Sequence, residues 1–153
     1  MAIEKIFHFI NFGKKPLDDI QKERIESFKR FNPSFEIKIW TDSDFDFSKG
    51  PQFVQDCLIM KNYGFLSDYY RFTVLKNYGG IYCDLDMECF RPLDEFLDRN
   101  ELLEYEFIAN HKYHIGTAIM GFPKGHLFPR LMVNYYDTHA IMRDGKIPVD
   151  ITS

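Results

Sequence analysis

The chain has 153 residues, of which 45% are apolar and 17% aromatic, enough for a single globular domain with a substantial core. Its formal charge is −4, with Lys and Arg scattered among the acids, so no basic footprint for nucleic acid is present. Three cysteines, Cys57, Cys83 and Cys89, without CxxC spacing suggest neither a disulfide framework nor a zinc site, and fit a reducing cytoplasm. No apolar run approaches the roughly 20 residues that span a bilayer, and the N-terminus has no leader pattern, so a soluble cytoplasmic chain is expected. In chain order, residues 3–10 predict a strand, and the Gly and Pro turn "NFGKKP" leads into a helix-period segment near 17–31. "FEIKIW" at 35–40 alternates as a second strand and ends in "TDSD" turn chemistry. Residues 51–62 and 64–78 read as helices, the second closed by Gly79 and Gly80. "IYCDLDMECF" follows as a strand, then a short helix "LDEFLDR", short strands "EFIAN" and "TAIMGF", and a last helix over 126–143. Strands alternating with helices predict an α/β layered domain with a largely parallel sheet.

Two carboxylates interrupt the apolar run after the glycine pair. Ile81, Cys83, Leu85, Met87 and Cys89 alternate with Tyr82, Asp84, Asp86 and Glu88, which places three acids on one face of the expected strand. Acids two apart on a strand lie about 6.6 Å from each other. At an effective dielectric near 20 they repel by about 2.5 kcal/mol, which a divalent cation would relieve. A wet edge strand carrying solubilising acids is the plainer alternative. The other Asp-x-Asp triplets, in "TDSDFDF", lie in turn-forming company and read as a solvated loop. Upstream, Asp68 and Arg71 are three apart and share a helical face. The double glycine then turns that helix straight into the acidic segment. His111, His114 and His126 stand alone and suggest no base, and Cys83 and Cys89 read as small core residues.

The series "IFHFINFGKKPL", "FEIKIWTD", "YGFLSDYYRFTVLKNYGGIYCDLDMECFRPLD" and "GFPKGHLFPRLM" resembles the family 32 glycosyltransferases. These DXD enzymes of capsular polysaccharide synthesis are related to yeast outer-chain mannosyltransferases and to the glucosylating domains of large clostridial toxins. The resemblance covers nearly the whole chain, and its most specific element is Ser-Asp-x-x-Arg, Gly-Gly and DXD at fixed spacing. It implies a GT-A fold, a Rossmann-like nucleotide-binding domain, and transfer of a sugar from a UDP- or GDP-linked donor with retention of configuration. The acceptor it implies is a glycan or a lipid-linked molecule, the latter bringing peripheral membrane contact. By the same resemblance Asp86, assisted by Asp84, holds Mn²⁺ or Mg²⁺ on the donor diphosphate. Asp84 also touches the ribose or donor sugar. Asp68 and Arg71 hold sugar hydroxyls and the departing phosphate, so Asp68, Arg71 and Asp84 carry the catalytic expectation. His8, Ile10, Asn11, Phe12 and Gly13 form the strand and loop that receive the base.

Two positions depart from the family pattern. Asn11 stands where relatives carry Trp in the first loop, moving any stacking platform to Phe12, and Thr117 stands where Asn is usual before "AI" as a donor-sugar contact. Related enzymes also continue past residue 153, so a C-terminally truncated domain is expected, with waters and phosphates completing the metal shell. Two further readings are a non-catalytic nucleotide- or carbohydrate-binding module on the same fold, and a haloacid-dehalogenase-like phosphatase. The second is disfavoured by Met87 and Glu88 directly after the second aspartate and by the position of the motif far from the start of the chain.

Overall fold

A computed structural model describes residues 2–108 and 112–146. Its elements are β1 (Ile6–Asn11), α1 (Asp19–Phe31), β2 (Glu36–Thr41), α2 (Gln52–Met60), α3 (Tyr63–Tyr78), β3 (Gly80–Cys83), β4 (Leu102–Ile108), β5 (Lys112–Phe122) and α4 (Leu127–Thr138). They form one five-stranded sheet in the order β2-β1-β3-β5-β4. The β2-β1-β3 half is parallel, as expected, with Phe7 beside both Ile37 and Ile81. The other half is antiparallel, because "EFIAN" and "TAIMGF" belong to a longer hairpin, β4 and β5, that joins β3 through Cys83 and Ile119. The sheet is therefore mixed.

Alternation along β1 explains the layering. Phe7 and Phe9 pack with Ile25 and Phe28 of α1 on one face, while Ile10 and Phe12 join Trp40, Tyr70, Leu75 and Tyr82 under α2, α3 and α4 on the other. Helix α1 starts at a capping box in which Asp18 accepts from the Gln21 amide and Gln21 accepts from the Asp18 amide. Helix α3 ends at Gly79, with φ of 66°, and Gly80 follows at φ of 98°. A Cβ on Gly80 would sit 2.7 Å from the Ile6 carbonyl oxygen, so this close turn of helix into strand requires glycine.

Three expected elements differ. The strand expected through Cys89 stops at Cys83, and Asp84 to Met87 turn, closed by the Met87 amide donating to the Asp84 carbonyl at 3.1 Å. Aspartate favours turns over strands, and the alternation arises because Leu85 in the turn, and Met87 and Cys89 after it, all lie against the α1-side core. Asp84, Asp86 and Glu88 thus do not share a strand face. The short helix "LDEFLDR" is one 3₁₀ turn, Asp94–Phe96. The last helix ends at Thr138 instead of residue 143, because the buried Asp56 carboxylate of α2 accepts the Ile141 and Met142 amides at 2.9 Å each and draws the chain off the helical path. Ala109, Asn110 and His111, and the tail from Ile147, lie outside the described residues.

Candidate functional site

The site lies at the carboxyl ends of β1 and β3. The strand order reverses here, with β2 on one side of β1 and β3 on the other, and a crevice opens at such a switch point. A cleft of about 270 Å³ is lined by Ile10 of β1, Gln21 and Arg24 of α1, Ser67 of α3, Tyr82 of β3, and Asp84, Leu85 and Asp86 of the turn.

Arg71 organises the α3 side, with its side chain only 7% exposed. Its guanidinium donates to the Thr117 carbonyl at 2.8 Å and hydroxyl at 3.0 Å, and to the Ser67 hydroxyl at 3.0 Å. It pairs with Asp68 at 3.0 Å and Asp84 at 3.5 Å, and lies over the Tyr82 ring with its carbon 4.6 Å from the centroid. The Tyr82 hydroxyl donates to Asp84 Oδ1 at 2.6 Å. One buried cation therefore ties α3, β3, β5 and the acidic turn together. Burial raises the carboxyls of Asp68 and Asp84 above the ordinary range, with Arg71 opposing the rise at both. At Asp84 the Tyr82 hydroxyl also opposes it and Asp86 adds to it.

The donor set suits a hard divalent cation. Among the described residues the other oxygen of Asp84 and the exposed carboxylate of Asp86 have no hydrogen-bond or ion-pair partner, and both residues line the cleft. No group of three or more His, Cys, Asp or Glu poised for a metal occurs among the described residues, where the cleft lining presents two carboxylates, Asp84 and Asp86. Mg²⁺ is commonly held in just this way, with waters and substrate phosphates completing six oxygens.

Of the other residues singled out by sequence, Thr117 is drawn into the site by Arg71 and Ile10 lines the cleft. Asn11 lines a neighbouring cleft of about 610 Å³ with Lys14, Lys15, Thr41 and Asp42, and Gly13 at φ of 96° donates its amide to Asp42 at 3.0 Å. His8 and Phe12 are buried and make packing and hydrogen-bond contacts within the fold. His8 is 1% exposed, its Nδ1 accepts from the Trp40 indole at 3.1 Å, and its Nε2 is left to donate to the Gly79 carbonyl at 2.7 Å. It joins the β1–β2 layer to the end of α3. Phe12 is wedged edge-on among Phe45, Phe47 and Tyr70. The aspartates of "TDSDFDF" cap backbone amides, as turn residues do.

Sequence reasoning missed Tyr82, Ser67, Gln21 and Arg24. Tyr82 could have been found from its place two residues before Asp84, and Ser67 from its place four before Arg71 on one helix face. Gln21 and Arg24 reach the cleft from a helix more than forty residues away in sequence and give no local signal.

Residues 18–104 match the family model described as a glycosyltransferase sugar-binding region containing the DXD motif. Over 121 residues the chain is 32% identical to inositol phosphoceramide mannosyltransferase 3 of Schizosaccharomyces pombe, an alignment covering 69% of this chain and 32% of that protein. The chain thus spans about a third of the length of this curated relative. Among solved structures it is similar to the PaToxG glycosyltransferase, with a TM-score of 0.68 at 16% identity over 88% of this chain and 62% of the other. A double cysteine-to-serine mutant of a transferase matches with a TM-score of 0.56 at 13% identity over 95% and 84%. At such identities these two likenesses concern the fold.

Proposed function

We propose, because the chain belongs to the family of glycosyltransferases with a DXD-containing sugar-binding region, that it forms the donor site of a metal-dependent, retaining glycosyltransferase. The donor is a nucleoside diphosphate sugar and the acceptor a glycan or a lipid-linked molecule. The observation that carries this reading is that Arg71 gathers Asp68, Asp84 and Thr117 beside the switch-point crevice that Asp84 and the exposed Asp86 line.

Asp84 and Asp86 would hold Mn²⁺ or Mg²⁺, which when bound supplies Lewis-acid stabilisation of the charge developing on the departing diphosphate. The chain's own groups prepare that event. Tyr82 and Arg71 fix Asp84, leaving one of its oxygens free. Asp68 offers hydrogen-bond acceptors to sugar hydroxyls, and Arg71, pinned by Ser67 and Thr117, sets its position. In a front-face reaction the departing phosphate oxygen takes the acceptor proton, so the reading requires no separate protein base. The S. pombe relative is named for a phosphoceramide acceptor, which supports a lipid-linked acceptor here. Roles in surface polysaccharide synthesis belong to the same reading.

The test is transfer or donor hydrolysis from UDP- and GDP-hexoses with Mn²⁺, followed by NMR of the sugar product at the first turnover. Retained anomeric configuration, lost with chelator and with Asp84→Asn, is expected. Inversion contradicts the retaining mechanism, and metal-dependent binding without any turnover contradicts catalysis by this chain.

A further inference from the structure

The charges around the cleft do not match on their own. Asp84, Asp86 and Arg24 line the cleft, and Arg71 pairs with Asp84 and with Asp68 beside it, three carboxylates against two guanidiniums, leaving one negative charge. A divalent cation on Asp84 and Asp86 reverses the sign to one positive charge, which suits an incoming diphosphate. The two arginines differ in what they can give. Arg71 is saturated by Asp68, Asp84, Ser67 and Thr117. Arg24 is half-buried on α1, and its guanidinium has no hydrogen-bond or ion-pair partner among the described residues. It stands between the DXD cleft and a second cleft bordered by Asp19, Glu23 and Glu88, and pairs with none of these acids. Gln21, the other α1 residue at the cleft, is committed to the capping box. Among the described residues Arg24 is therefore the uncommitted cation of the cleft, on its α1 side.

We propose that Arg24 binds a phosphate oxygen of the donor diphosphate from the α1 side of the cleft that carries Asp84 and Asp86, a role resting on the donor-site reading above. Guanidinium suits this task because it presents several donors in one plane and stays charged throughout the accessible pH range. Removing a charge-assisted hydrogen bond of this kind weakens binding by about ten- to a hundredfold.

The experiment is calorimetric titration of UDP and of GDP, each with Mn²⁺, into the wild type, Arg24→Gln, Arg24→Lys and Lys22→Gln. Uridine and guanosine serve as phosphate-free probes, and circular dichroism confirms folding of each variant. Lys22 is exposed on the same helix, so its variant removes one charge without touching the cleft. The expected result is a ten- to hundredfold loss for the preferred diphosphate in Arg24→Gln, partial recovery in Arg24→Lys, less than about twofold change in Lys22→Gln, and unchanged nucleoside binding. Equal affinity in wild type and Arg24→Gln overturns the role while leaving the donor site standing, as does an equal loss in Lys22→Gln, which marks a diffuse field effect. Failure of the wild type to bind either diphosphate overturns the donor site and the role together.

Discussion

Replacing Arg71 with Gln would show how far the site depends on one buried cation. The side chain is 7% exposed and its two carboxylate partners, Asp68 and Asp84, are 34% and 33% exposed. Removing one member of a fully buried pair costs about 3–5 kcal/mol. Solvent reaches both acids here, so the lower end applies, and the lost hydrogen bonds to Ser67 and Thr117 fall within it. We expect a loss of about 3 kcal/mol near neutral pH, or roughly 6–12 °C in Tm for a chain of this size. The loss should depend on pH. Burial raises both carboxyls, so protonating them favours the folded state: that contribution is complete below the unfolded value near 3.8 and disappears as pH rises through the folded values. Arg71 lowers both folded values, and its removal moves them higher, deepening the loss near neutrality. Urea unfolding of wild type and variant between about pH 4 and pH 7 measures this. A difference below about 1 kcal/mol, or one that does not shrink toward acid pH, would refute the view that Arg71 holds two reluctant carboxylates in place.

Other expectations follow from single contacts. Tyr82→Phe removes the hydroxyl that helps keep Asp84 ionised, so Mn²⁺ binding followed by EPR should lose its acid limb at higher pH than in wild type. An unchanged limb would show that the hydroxyl does not tune Asp84. Asn32→Ala should cost about 2 kcal/mol in urea unfolding, because the buried Asn32 accepts the Leu93 amide at 2.7 Å and donates to the Phe28 carbonyl, and the amide would be left unsatisfied. A cost below about 0.5 kcal/mol would mean that water replaces the amide side chain there.

Much of this arrangement was legible because local patterns carried it. A strand read at 3–10 marked β1, alternation identified β2, helical spacing identified α3, and the paired glycines marked the turn that leads to Asp84. Asp68 and Arg71, three apart on α3, do form an ion pair, and the double glycine that turns α3 into the acidic segment brings Arg71 within 3.5 Å of Asp84. The error at residues 84–89 came from the same rule: apolar residues alternate wherever a chain runs extended over a core, with or without a partner strand. The long hairpin was underread because Tyr105, Phe107, Tyr113 and Ile115 are exposed, so its residues do not divide into a buried and a wet face. His8 illustrates the other limit. Nothing local distinguishes a ligand-facing histidine from one whose nitrogens are used by Trp40 and Gly79, residues 32 and 71 positions away.

In the proposed function Asp84 and Asp86 join a divalent cation to a nucleoside diphosphate in the crevice between β1 and β3. Calorimetric titration of UDP and GDP with and without Mn²⁺, into wild type and Asp86→Ala, tests it most directly. The expected result is Mn²⁺-dependent binding of one nucleotide by the wild type and its loss in Asp86→Ala, a surface change that leaves the unfolding transition unmoved. Binding that is indifferent to Mn²⁺, or that survives loss of Asp86, would contradict it.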